Sequence, residues 1–244
     1  MNRNTSDAGY APAYPHGSLE EIESDVFMVR GSTKLNSMVR ITRNMTVIRH
    51  KGELTLVNPI RLSREGEAQL VVLGNVKHIL RLGFLHGLDD RYYAERFKAQ
   101  LWSQLGGLKY PLPPVQNELH EESEMPFPNA SLFCFKDTLQ PESALLIKRG
   151  NGLLITCDAI QHYGDYKYNN FLARIMLPLM GFRQTTLIGP IWLRMVTPEG
   201  ASLDPEFGRL LSLDFDALVS AHGSFLATGA KAGVRNARAR AFPK

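Results

Sequence analysis

Cysteine is nearly absent: Cys134 and Cys157 are the two in 244 residues, both in apolar surroundings and without CxxC spacing. Buried thiols in a reducing cytoplasm are the reading, with one disulfide as the alternative. An excess of one charge is lacking too. The 28 basic and 24 acidic side chains leave a net charge of +4, too little on its own to argue for a nucleic-acid partner. There is no uninterrupted apolar run. The most apolar region, Phe171 to Met195, is broken by Arg174, Pro178, Arg183, Pro190 and Arg194, whereas a transmembrane span needs roughly 20 mostly uncharged residues. Residues 1–16 have no apolar segment of the signal-peptide kind and read as part of a loosely ordered tail over 1–24. The GxSxG elbow, the GxxxxGK[ST] phosphate loop and the GxGxxG fingerprint are all missing. Ser224 follows a glycine, but Phe225 and Leu226 come next in the wrong pattern for a nucleophile.

What is present suits a packed core: 44% hydrophobic and 21% charged residues. Asp25 to Arg30 reads as a strand. Leu35 to Arg49 carries further β-type residues, Lys51-Gly52 makes a turn, and Glu53 to Val57 returns as its hairpin partner. Ser63 is placed to cap a helix running to Leu73, with Glu65 and Glu67 near its positive end. Val76 to Leu82 is a buried strand. Helical spacing runs from Arg91 to Leu105, and a proline-rich, acidic surface loop spans Pro111 to Asn129. Strands resume at Ser131–Phe135 and Ala144–Lys148, and Arg149-Gly150-Asn151-Gly152 is a hairpin turn into Leu153–Cys157. A helix spans Asn169 to Met180, then a partly buried connection runs through Trp192 to Val196, and Pro205 opens a short helix. Ala217–Ala221 is a brief strand, and Thr228 to Arg240 is a helix with a basic exposed face. With no repeat and no break in composition, residues 25–244 are expected to form one α+β domain of two packed sheets with helices outside.

Three polar residues share a position type. His86, Asp158 and His222 each follow an apolar strand and lie next to or near glycine. Two imidazoles and a carboxylate are a common set for one divalent transition metal (zinc, iron or manganese) that keeps a position open for water. Asp89 and Asp90 stand beside His86 as candidate catalytic groups, able to supply a fourth ligand or to orient a bound water; the plain alternative is that one of them caps the next helix. Cys157 should point away from Asp158 if strand alternation holds. His120 reads as a solvated loop residue, His162 as a turn residue or a partner of the site, and His50 and His78 as structural. Tyr163, Tyr166 and Tyr168 either wall a pocket or pack.

The segments LGFLHGLDD (82–90), GNGLLITCDAIQH (150–162) and LVSAHG (218–223), in this order of strands, resemble the metallo-β-lactamase superfamily. That resemblance implies a four-layer αββα sandwich, a metal-bridging aspartate at Asp158 and a last histidine loop at His222. The family's metal loop reads His-x-His-x-Asp-His. With His86 in its first place, Asp90 matches the aspartate while Leu88 and Arg91 replace two histidines; with His86 in its second place, Phe84, Leu88 and Asp89 stand where ligands belong. The set for two metals is thus depleted. The resemblance implies a cytoplasmic hydrolase with at most one metal, acting on a small ester, lactone or thioester. The alternative is an inactive member kept as a ligand-binding or subunit-interaction module. No nucleic-acid or transmembrane role is expected, and Phe171 to Met195 is the expected surface for a homodimer.

Overall fold

The computed structural model describes residues 9–243. The strands are β1 (Glu20–Glu23), β2 (Val26–Lys34), β3 (Arg40–His50), β4 (Glu53–Val57), β5 (Asn75–Arg81), β6 (Gln100–Ser103), β7 (Asn117–Glu118), β8 (Ala130–Cys134), β9 (Ser143–Ile147), β10 (Leu153–Thr156), β11 (Ile160–His162), β12 (Thr186–Ile188) and β13 (Ala217–Ser220). The helices are α1 (Arg64–Leu73), α2 (Asp90–Phe97), α3 (Phe171–Leu179), α4 (Pro190–Val196), α5 (Asp204–Leu210) and α6 (Ala230–Ala241).

One sheet runs β1 to β7 in chain order; a second has the order β13-β10-β9-β8, and β11-β12 is a separate ribbon. Alternation along the strands builds the layers. Val26 and Met28 of β2 face the second sheet and meet Leu145, Ile147, Leu153 and Ile155. Phe27 and Val29, one residue out of phase, face outward onto Leu70 of α1 and Tyr92 and Tyr93 of α2. Leu146, Leu154 and Leu218 likewise face outward onto Trp192, Phe207 and Val234 of α4, α5 and α6. The result is the expected four-layer αββα sandwich. No helix among the described residues is long and apolar enough to cross a membrane.

Several elements differ from the pattern reading. Helix spacing continues to Leu105, yet α2 stops at Phe97, because Lys98 takes a left-handed conformation (φ 57°) and Gln100–Ser103 pairs in parallel with β5. Within Gln100–Ser103, Leu101 and Ser103 are buried in alternation, and tertiary pairing decides between helix and strand. The connection ahead of Val196 contains β12 and then α4, which Pro190 opens. The segment expected as a loose tail supplies edge strand β1 against β2, and its His16 Nε2 accepts from Ser63 N–H; residues 1–8 lie outside the described residues. Ser63 caps α1 as expected, its hydroxyl accepting from Gly66 N–H. Both cysteines are buried and free.

Strands β4, β5, β6 and β7 are parallel neighbours, with α1 and α2 as crossovers. Their carboxyl ends therefore open on one rim, where loops collect. The second sheet reaches the same rim: Ser143 at the start of β9 donates its N–H to Leu82 O at 2.7 Å, just beyond β5.

Candidate metal centre

Parallel pairing of β10 and β13 matches Thr156 with Ser220. Two residues further along both strands stand Asp158 and His222, so equal offset in a parallel pair sets carboxylate and imidazole side by side. His86 comes from the other sheet. Beyond β5 the chain passes Gly83, where an added Cβ would lie 2.3 Å from Glu142 Oε2 and 2.7 Å from Cys157 Sγ, so only glycine lets the two sheets close here. The His86 amide then turns back onto Gly83 O at 3.1 Å.

The three side chains converge. His86 Nε2 lies 3.2 Å from Asp158 Oδ2, His222 Nε2 lies 3.1 Å from Asp158 Oδ1, and the two Nε2 atoms are 3.1 Å apart. All three residues are buried, at 3%, 6% and 7% exposure for His86, Asp158 and His222. Donors about 2.0–2.1 Å from a tetrahedral metal stand roughly 3.3–3.4 Å from one another, close to these separations, with the carboxylate turning a different oxygen to each imidazole.

Proton placement argues in the same direction. His222 Nδ1 is 2.6 Å from Thr42 O, and a carbonyl only accepts, so Nδ1 carries the proton. In the neutral ring Nε2 is then a bare lone pair facing a carboxylate oxygen. Two acceptors at that separation call for a cation between them, either a proton or a metal. Burial pulls His86 down to about 4 despite the opposing pull of Asp158. Its Nδ1 is buried without a hydrogen-bond partner. Burial resists the charge on Asp158, but His86 and His222 outweigh it and hold the carboxyl well below the usual carboxylate range.

Residues with no motif complete the frame. Glu142 is fully buried; its Oε1 accepts from the Asp158 and Ala159 amides at 2.7 and 2.8 Å and fixes the turn that presents Asp158. Burial, followed by the neighbouring Asp158 charge, pushes the Glu142 carboxyl well up. Arg43 of β3 donates to His86 O at 2.9 Å and pairs with Asp89 Oδ2 at 3.2 Å. Asn44 Nδ2 donates to Ser220 O and Gly223 O, tying β3 to the His222 loop.

Asp89 and Asp90 do not join the cluster. Asp89 pairs with Arg43, and Asp90, fully buried, has Oδ2 3.4 Å from Arg81 Nε. Asp89 occupies the N-cap position of α2 without a side-chain capping bond. Cys157 does not point away from Asp158: its Sγ is 3.9 Å from Asp158 Oδ2, because β10 ends at Thr156 and strand alternation lapses there. Glu142, Cys157 and Asp158 form a second group of closely spaced candidate ligand atoms. Burial and then the two acids push the Cys157 thiol well up. His162 sits on β11 with Nδ1 2.9 Å from Thr186 Oγ1, His120 is exposed beside Glu118, and His78 Nδ1 accepts from Trp102. Tyr163 is packed against Tyr166 and Phe182.

Solved structures share this architecture. FIM-1 metallo-β-lactamase from Pseudomonas aeruginosa, in its mono-zinc form, superposes with a TM-score of 0.64 at 10% identity over 95% of this chain and 98% of that one. The fold is metallo-β-lactamase-like. DIM-1 metallo-β-lactamase exposed to ceftazidime gives 0.61 at 10% identity over 95% and 100% of the two chains, and an enzyme from Hirschia baltica gives 0.59 at 13% over 94% and 99%. No protein-family model and no curated protein matches the chain by sequence.

Asp90 is expected to make this metallo-β-lactamase-like rim sensitive to pH. Burial pushes its carboxyl up to about 7, against the pull of Arg81 and Arg43. An acid whose folded value exceeds its unfolded value binds its proton more tightly in the native state, so its contribution to stability falls as pH rises from about 4 to about 7 and is flat above. The difference in unfolding free energy between the parent chain and Asp90→Asn, measured by urea denaturation, is expected to shift by a few kcal/mol in favour of the variant across that window. A pH-independent difference would refute the assignment.

Proposed function

We propose that the chain is a divergent metallo-β-lactamase-like hydrolase that holds one divalent transition metal on His86, Asp158 and His222. The substrate class is a small ester, lactone or thioester. The observation that carries this reading is the convergence of the three residues: the two imidazole Nε2 atoms stand 3.1 Å apart, and each lies 3.1–3.2 Å from one oxygen of the Asp158 carboxylate. A bound metal of this kind polarises a carbonyl oxygen and brings the pKa of its water towards ~7. The remaining work falls to the chain. The Thr42 carbonyl fixes the tautomer of His222 so that Nε2 faces the cluster. Arg43 holds the His86 main chain, and Asp89 holds Arg43. Glu142 fixes the Asp158 turn.

One metal rather than two follows from the residues at hand. With His86 in the first place of the resembling motif, Leu88 and Arg91 stand at ligand positions; with His86 in the second, Phe84, Leu88 and Asp89 do; and Asp89 and Asp90 lie against Arg43 and Arg81. The test is elemental analysis of chain purified without added metal. We expect close to one equivalent of zinc, iron or manganese per chain, less than about a tenth of that in His86→Ala and Asp158→Asn, and a melting temperature lowered by chelator in the parent alone. The near-closure of the cluster favours a second reading, a family fold kept for binding or subunit pairing after loss of catalysis. That reading predicts no co-purifying metal and the same melting temperature with and without chelator.

A further inference from the structure

A cavity of about 210 Å³ opens at the carboxyl ends of β5 and β6, and none of His86, Asp158 or His222 lines it. Its polar wall is Arg81, Ser103, Gln104 and Tyr110, and Phe84, Leu105 and Pro141 give it an apolar side. The Arg81 side chain is 8% exposed. Its Nε lies 3.3 Å from Ser103 Oγ and its Nη1 donates to Tyr110 O at 3.0 Å. The hydrogen bonds of Arg81 among the described residues use these two nitrogens, which leaves Nη2 for a ligand. Gly87 is part of the construction: a Cβ there would lie 2.5 Å from Arg81 Nη1 and 2.6 Å from the Tyr110 side chain, so glycine lets the guanidinium reach the cavity wall.

Asp90 answers this arginine at one edge only. Asp90 stands 3.4 Å from Nε, beyond close hydrogen bonding, and both its oxygens are buried without a hydrogen-bond partner. Gln104 Oε1 is also buried and unpartnered in the same wall. Asp90 lies at the Nε edge and leaves the Nη2 side of the buried guanidinium open, and a planar carboxylate is the group whose two oxygens fit that fork. We infer that this cavity is a binding site for a small organic carboxylate, held by Arg81 through its acid group and by Phe84, Leu105 and Pro141 through its body. The volume decides the size. Pockets for drug-sized ligands measure roughly 300 Å³ or more, so this smaller cavity suits an acid near the size of benzoate.

The inference stands apart from the metal reading, and the test keeps the two separate. Benzoate and its neutral match benzamide are titrated into full-length chain previously dialysed against chelator, with amide shifts followed by heteronuclear NMR. Benzoate is expected to give saturable shifts centred on Gly83, Gly106 and Gly107, with benzamide at least tenfold weaker. Arg81→Gln is expected to weaken benzoate tenfold or more. Because loss of a buried arginine can unfold the chain, Gly107→Leu provides the second variant. A Cβ at Gly107 meets Phe84 Cβ at 3.5 Å and Pro141 Cγ at 3.6 Å, ordinary contact distances, so the new side chain fills the cavity without touching the charge. It too is expected to weaken benzoate tenfold or more, while His86→Ala leaves benzoate binding within twofold. The inference is overturned by benzamide binding as tightly as benzoate, by Gly107→Leu binding within twofold of the parent, by shifts centred on His86 or His222, or by no saturation at tens of millimolar.

Discussion

Glu142→Ala is expected to lower stability by about 3–5 kcal/mol, the largest effect of any single substitution near the cluster outside its three donors. The variant strands two buried amides, those of Asp158 and Ala159, each costing about 1–3 kcal/mol without an acceptor, and it leaves a cavity where the side chain was. For a chain of this length such a loss corresponds to a fall in melting temperature of roughly 6–20 °C. Glu142→Gln keeps an oxygen in place to accept both amides and is expected to stay within about 1.5 kcal/mol of the parent. Circular dichroism melts on chelated protein read both values without any contribution from metal. A small loss for Glu142→Ala, below about 1 kcal/mol, would mean that the Asp158 turn holds itself.

Arg43→Met is the second large effect. It leaves Asp89 buried with its nearest cation gone and strips a donor from the His86 carbonyl. Breaking one side of a buried pair typically costs about 3–5 kcal/mol, whereas replacing both sides by apolar groups is far milder. Arg43→Met combined with Asp89→Leu is therefore expected to be more stable than Arg43→Met alone, with a coupling energy of about 2 kcal/mol or more from a double-mutant cycle in urea. Additive losses would show that the two residues act independently and that Asp89 does not work through Arg43.

Much of the layered core was legible because its signals are local. Ser63 announces α1, Arg149 to Gly152 announces the β9–β10 turn, and strand-by-strand hydrophobicity announces two sheets. His86, Asp158 and His222 drew notice as polar residues at the ends of apolar runs. What brings them to one point was not legible. Hairpin signals report antiparallel neighbours, while the adjacency of Asp158 and His222 rests on a parallel pairing between segments some sixty residues apart, which leaves no turn signature. Asp89 and Asp90 looked like loop carboxylates free for chemistry. Their partners Arg43 and Arg81 lie inside strands, and nothing in the local pattern marks those arginines as inward-facing. Glu142 was invisible for a related reason: between Pro141 and Ser143 it reads as an ordinary surface acid, and only the fold turns it inward. Lys98 misled in the other direction, since its left-handed turn interrupts a helical spacing that the apolar residues alone would continue.

The pairing of β10 with β13 carries one more consequence. Two of the three donors ride on a single rigid ladder, while the third arrives on a loop from the opposing sheet, so no short peptide from this chain contains the set. Any ion held by this set would meet all three residues together only where both sheets have closed on each other.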